Sequence, residues 1–347
     1  MRAFLLALTL LVAAGCGGGD GDGEAVTDRT TSAPAEDEFE VRGLEVPWEI
    51  AFLDETTMLV TERPGRVRVI EEGRLRERPA ATIEVDASGE GGLLGLAVRE
   101  GFAYVYYTAA DGNRVSRFPL GDDLSFGDEE VLLDGIPAAA VHDGGRIAFG
   151  PDGMLYVATG DAGQSELAGD PNSLAGKILR LAPEGGEPEV WSWGHRNPQG
   201  IAWADDGTMY VAEHGPSGEF GLCCHDEVNV ISRDGFYGWP FRAGTTATGA
   251  GEPPARPRDP LAESGEETWA PAGAAWLDGS LYVATLRGER LLRISPDGEV
   301  TTALDGLGRL RIAAVGPDGC LYVGTSNRDG RGEPRQGDDR IVRICDR

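Results

Sequence analysis

One phrase recurs six times along this chain, and that recurrence constrains its fold more than any other feature. The copies are "IAFLDETTMLVTE" from Ile50, "LAVREGFAYVYYT" from Leu96, "IAFGPDGMLYVAT" from Ile147, "IAWADDGTMYVAE" from Ile201, "AAWLDGSLYVAT" from Ala274 and "AAVGPDGCLYVGT" from Ala313. Each has an apolar triplet, a short turn that usually contains Asp-Gly, and a run ending in a small or hydroxylated residue. Asp-Gly supplies the positive backbone angle of a tight hairpin, so every copy reads as two antiparallel strands. A second phrase follows each copy, as in "GRVRVIEEG", "GKILRLAPEG" and "ERLLRISPDG"; its alternation of apolar and charged residues marks a third strand with one covered face. Three strands per repeat plus a more variable fourth describe a propeller blade. The expected fold is all-β, a six-bladed β-propeller; the alternative, a β-sandwich, does not call for six in-phase copies. The sixth repeat reaches Arg347 without a fourth strand of its own, and "EFEVRGL" near residue 40 is expected to close the ring.

With 52 glycines and 21 prolines in 347 residues, the composition suits short strands and tight turns, and one large all-β domain over residues 38–347 accommodates the repeats. The longest gap between copies, "FRAGTTATGAGEPPARPRDPLAESGEET", is rich in Pro, Gly and charge and reads as a surface loop on one rim. A net charge of −27 excludes nucleic acid as a partner, since phosphate binding needs clustered Lys and Arg. The start, "MRAFLLALTLLVAAGC", has the charged, apolar and small-residue segments of a signal peptide over residues 1–16. Its "AAGC" resembles a bacterial lipoprotein box, with Ala13 where leucine is more usual; a plain secretion signal is the alternative. The expectation is an extracytoplasmic, cell-surface lipoprotein held to the membrane only by a lipid on Cys16. Residues 17–37, acidic and without periodicity, read as a disordered tether.

Four further cysteines would then stand in an oxidising compartment. If "CLYVGTS" and "DDRIVRIC" form a hairpin, Cys320 and Cys345 fall opposite each other and form a disulfide. The adjacent Cys223 and Cys224 leave two readings open, an eight-membered disulfide ring or two free thiols. Zinc on Cys223, Cys224 and His225 is disfavoured, because no second ligand pair stands at zinc spacing.

Residues too polar to be explained by strand building flank the repeats. Glu90 in "SGEGGLLG", His142 in "VHDGGR", and Arg196 and Asn197 in "WSWGHRNPQG" all precede innermost strands, as do Arg309 and Arg311 in "GRLRI", while "EHGP" follows the fourth copy. Equivalent positions in successive blades point to one axial opening, so chemistry is expected to gather there from distant parts of the chain.

These motifs carry a resemblance. "GEGGLLGLA", "HDGGRIAFGPDGMLYVATGD", "GHRNPQGIAW", "EHGP", "DEVNVI", "YGWP" and "TSNRDGRG", in this order over roughly residues 40–345, resemble the soluble aldose sugar dehydrogenases that use pyrroloquinoline quinone (PQQ), the glucose/sorbosone dehydrogenase family. The resemblance implies a six-bladed propeller that oxidises aldoses at the C1 hydroxyl to lactones, with PQQ and calcium as cofactors and an unidentified electron acceptor. It implies that His142 is the general base, a role that suits an imidazole near neutral pH, and that Asp161 orients it. It implies that Arg196, with Asn197, contacts the quinone and stabilises charge arriving there, and that Glu90, Arg287, Arg309 and Arg311 complete the cofactor site. The carbonyls of Gly215 and Pro216 are implied to hold calcium, with a second calcium near Glu227 and Tyr237. Trp239 reads as core packing at a blade edge.

The chain departs from the family at two places. The tyrosine common soon after "YGWP" is replaced by "FRAGTTATG", and "SGEFGLCC" is inserted between "EHGP" and "DEVNV". Two other functions fit the same fold: a surface-anchored binding propeller without chemistry, and a calcium-dependent lactonase whose histidine serves water.

Overall fold

The computed structural model describes residues 39–345, so the expected signal peptide and acidic tether lie outside the described residues. Six sheets form a ring, antiparallel except where Gly235–Phe236 pairs in parallel with Glu189–Trp193 at the outer edge of blade 3, and each starts with an innermost strand: Pro47–Phe52, Leu93–Arg99, Ile147–Phe149, Asn197–Trp203, Pro271–Leu277 and Leu310–Val315. In every blade the recurring phrase is the innermost hairpin. In blade 3, for example, Ile147 faces Val157 and Phe149 faces Leu155. The alternating phrase forms the third strand, such as Lys177–Leu181 beside Leu155–Thr159. Glu40–Arg42 pairs antiparallel with Arg340–Ile344 and supplies the fourth strand of blade 6, so the ring closes as expected.

Blade 4 corrects the reading of the long gap as loop. Its fourth strand is the two-residue Ala262–Glu263 inside that gap, paired to Glu227 and Val228, and Ala262 is buried in the core between blades 4 and 5. A small hairpin, Arg242–Ala243 with Thr246–Ala247, occupies the start of the same segment.

The core lies between neighbouring blades. One cluster joins Tyr104, Tyr106 and Val115 of blade 2 to Ile147, Leu155, Val157 and Leu179 of blade 3. Another joins Ala275, Tyr282 and Leu291 of blade 5 to Leu310, Leu321 and Val323 of blade 6. Each large side chain buried in this way contributes about 1.5–3 kcal/mol. Near the axis the inner strands come too close for side chains: a Cβ on Gly200 would lie 2.4 Å from the Ala272 carbonyl oxygen, and one on Gly95 2.2 Å from that of Gly145. This explains the glycine that precedes the apolar triplet in "LLGLA" and "NPQGIA".

Leu321 faces Ile344 in the last hairpin, and the expected Cys320–Cys345 disulfide forms beside that pair. Cys223 and Cys224 are also bonded to each other, which removes the thiolates that the free-thiol and zinc readings need. No helix among the described residues is long and apolar enough to cross a membrane.

Candidate active site

His142 lies in the approach to the innermost strand of blade 3, and Asp161 lies just past Thr159, where the partner strand ends. The hairpin therefore brings together residues nineteen apart in sequence. His142 Nδ1 is 2.7 Å from Asp161 Oδ1, and the histidine is 9% exposed. A carboxylate at this nitrogen makes Nδ1 the donor and leaves the lone pair of Nε2 facing the mouth. His142 takes a backbone φ of 62°, a strained value for a residue with a Cβ. Its carbonyl accepts a hydrogen bond from the Ala162 N–H, and a Cβ on Gly160 would stand 1.8 Å from that carbonyl oxygen. Glycine at 160 is thus what lets the two ends meet.

Asp161 is held on both oxygens. The Gly163 N–H donates to Oδ1, and Trp239 Nε1 donates to Oδ2 at 2.8 Å. Trp239 is therefore part of the site as well as buried packing, a correction to its reading as packing alone. Its ring meets the Arg196 guanidinium at 5.6 Å and the edge of Phe220 at 5.6 Å.

Asn197 begins the innermost strand of blade 4, and Arg196 immediately precedes it. The Arg196 carbonyl accepts from the Asp161 N–H, and the Arg196 N–H donates to Glu213 Oε2. Glu213 Oε1 in turn meets His195 Nδ1 at 2.9 Å, and His195 Nε2 meets Ser192 Oγ at 2.8 Å. Ser192, His195 and Glu213 have the connectivity of a hydrolytic triad, but all three are buried, so the chain they form holds the Arg196 backbone in place. Asn197 Oδ1 accepts from the Gly144 N–H, tying the blade 4 start to the His142 loop.

Glu90 receives the His142 N–H on Oε2 and Arg331 on Oε1. Burial works to raise its pKa, but the His142 N–H, the neighbouring His214 and Arg331 prevail and hold it at about 2. His214, which sequence reasoning left unassigned, ends the strand Met209–His214; burial first, then the Arg311 and Arg196 charges, outweigh Glu90 and pull its pKa to about 3. Arg311 bonds the Gln199 side chain, lies 5.4 Å from the Trp48 ring, and is lowered to about 10, chiefly by burial. Arg309 is neutralised by Asp329 at 2.7 Å. Arg287 is exposed and joins neither the cavity around Arg196 and His214 nor the one around Glu90 and Arg311.

Four buried nitrogens of this mouth make no hydrogen bond: Arg196 Nε, Asn197 Nδ2, His214 Nε2 and Arg311 Nε. Leaving a buried polar group unpaired costs about 1–3 kcal/mol, so such a set suits an oxygen-rich, anionic ligand. Gly215, Pro216, Glu227 and Tyr237 line one cavity with Glu213 and Trp239. Behind it the buried Asn229 Nδ2 donates to both Glu213 and Glu227, and burial, followed by the Glu213 charge, raises Glu227 to about 8. Buried carboxylates beside backbone carbonyls are the donor set a hard divalent cation takes. Asp226 accepts from the N–H groups of Gly215, Trp269 and Ala270 and so fixes the loop that carries Gly215.

Residues 44–333 match the family model described as glucose/sorbosone dehydrogenase. This chain belongs to that family. The aldose sugar dehydrogenase YliI of Escherichia coli K12 is 30% identical, over 83% of this chain and 89% of its own length. The PQQ-bound aldose sugar dehydrogenase of Streptomyces coelicolor superposes with a TM-score of 0.80 at 36% identity, covering 90% of this chain and 97% of its own. A solved Thermus thermophilus protein, described as a putative glucose dehydrogenase, also gives 0.80, at 50% identity, covering 88% of this chain and 98% of its own.

Proposed function

We propose that this chain is a quinoprotein that oxidises the C1 hydroxyl of aldoses to the lactone, using PQQ and calcium. The observation that carries this reading is the His142–Asp161 pair beside the unpartnered Arg196 and Asn197 nitrogens. Arg196, Asn197 and Arg311 would hold the quinone's oxygens, with Glu90 fixing the His142 loop, whereas Arg309, paired with Asp329, and the exposed Arg287 would stand outside that set. The carbonyls of Gly215 and Pro216 would hold calcium there, and Glu227 with the Tyr237 carbonyl a second one. When bound, the quinone supplies the two-electron oxidant that takes hydride from C1. His142 Nε2 removes the hydroxyl proton, the Asp161 carboxylate stabilises the imidazolium that forms, and Trp239 keeps that carboxylate in register. The Arg196 guanidinium stabilises the negative charge that arrives with the hydride.

Reconstitution tests this reading. Purified protein is loaded with PQQ and calcium, and dye reduction is followed with glucose and other aldoses, the dye standing for the unidentified acceptor. Sugar-dependent dye reduction that Ala at 142 abolishes is expected. Failure to bind PQQ would point to the binding propeller, and lactone hydrolysis without quinone to the lactonase. The expected cell-surface anchoring is tested separately by lipid labelling, which should be lost in Cys16→Ala.

A further inference from the structure

The inserted segment "SGEFGLCC" does not form a remote surface loop. Ser217 and Cys223 bridge its two ends, the Gly218 N–H donates to the Leu222 carbonyl, and the Cys223–Cys224 disulfide sits where it rejoins the fold. The N–H groups of Cys224 and His225 both bond the Gly265 carbonyl, fixing the loop's root. Its tip carries the Glu219 side chain into the mouth and sets the Phe220 ring beside Trp239. Glu219 Oε1 pairs with Arg196 Nη2 and stands 3.9 Å from His142 Nε2. Phe220, at a φ of 54°, is turned outward: it is 45% exposed, with one edge against Trp239. Val141, next to the base, is the other exposed large apolar residue at this opening.

We propose that Glu219 and Phe220 are the sugar-selecting wall of this mouth, Glu219 accepting the hydroxyl next to the one that His142 deprotonates, and Phe220 packing on the apolar face of the ring. This rests on the reading of His142 as the base. An O–H···O or O–H···N contact reaches about 2.7–2.8 Å. Two acceptors 3.9 Å apart can therefore each take one hydroxyl of a vicinal diol. Arg196 divides its functions to suit: Nη2 fixes Glu219, while Nε stays free for the quinone. Burial opposes ionisation of Glu219, but the Arg196 charge lowers its pKa, so it is a pure acceptor at neutral pH. An exposed aromatic face beside a carboxylate is also the pairing that fits a pyranose, which has C–H groups on its faces and hydroxyls at its edge. Phe220 would thereby stand in for the tyrosine that this chain lacks after "YGWP". The substrates favoured are aldoses with a free hydroxyl at C2.

The test compares glucose with 2-deoxyglucose in wild type, Glu219→Ala, Glu219→Gln and Phe220→Ala, each at saturating PQQ and calcium. The ratio of the two kcat/KM values cancels differences in folding and cofactor loading. Wild type is expected to prefer glucose. Glu219→Ala should cut that preference about tenfold or more, since hydrogen bonds to charged groups contribute about 1.5–3 kcal/mol and each 1.4 kcal/mol is about tenfold. Glu219→Gln, which keeps an acceptor oxygen, should retain part of the preference, and Phe220→Ala should raise KM for both sugars alike. An unchanged ratio in Glu219→Ala, with glucose still oxidised, overturns this inference and leaves the parent reading standing. Quinone-loaded wild type that oxidises neither sugar overturns both.

Discussion

Replacing Trp239 by Phe separates the two functions the structure gives this residue. Phenylalanine keeps most of the buried ring, including its edge contact with Phe220, but it removes the Nε1–H that donates to Asp161 Oδ2 at 2.8 Å. Hydrogen bonds to charged groups contribute about 1.5–3 kcal/mol, which at about 1.36 kcal/mol per decade corresponds to about 10- to 150-fold in rate if the whole of it is expressed in the transition state. Asp161 retains the Gly163 N–H and the His142 ring, so the carboxylate stays nearby and the loss should fall near the low end, about tenfold. It should appear in kcat more than in KM, because Trp239 acts on the base and not on the sugar. The assay is steady-state oxidation of glucose by reconstituted protein, with thermal melting in parallel. A melting shift with unchanged kcat would refute the reasoning and return Trp239 to packing alone.

Other outcomes follow from the same geometry. Asp161→Asn should lower kcat by about a hundredfold or more without abolishing quinone binding, measured by titration of PQQ, since the amide cannot stabilise the imidazolium. Cysteine-to-alanine changes at both 320 and 345 should cost about 3.5 kcal/mol in denaturant unfolding, the chain-entropy value for a loop whose ends are 25 residues apart. Glu90 has a folded pKa near 2, below its usual value, so it stabilises the fold above about pH 4.5 and loses that contribution as pH falls toward 2. Glu90→Gln should flatten that part of the acid-unfolding profile. Removing calcium with a chelator should weaken PQQ binding, seen by titration, and added calcium should restore it.

The ring was legible because its information is local. Asp-Gly turns and period-two strands are written in consecutive residues, and the missing fourth strand of the last blade pointed to the segment at residue 40. The fourth strand of blade 4 was not legible, because a two-residue strand, Ala262–Glu263, in a Pro- and Gly-rich segment carries no period. His142 and Asp161 could be paired from sequence since one hairpin joins them. Trp239 could not, as it reaches Asp161 from 78 residues away through the parallel pairing of Gly235–Phe236 with Glu189–Trp193. The buried Ser192–His195–Glu213 chain carried a weak signal, two titratable residues flanking the Arg196 strand. Arg287, assigned to the cofactor site only by the resemblance, is exposed and lies outside both cavities of the mouth. Glu219 lay in an insertion, where a repeat-based argument has no template.

The central claim is that His142 takes the proton while hydride leaves C1. Stopped-flow reduction of the quinone in calcium-loaded protein tests it most directly, comparing glucose with C1-deuterated glucose in wild type and in His142→Ala. A clear isotope slowing is expected in wild type, with a reduction rate lower by about 10²–10⁴ in the variant, the usual contribution of a general base. Equal reduction rates in the two proteins, with quinone bound to both, would contradict it.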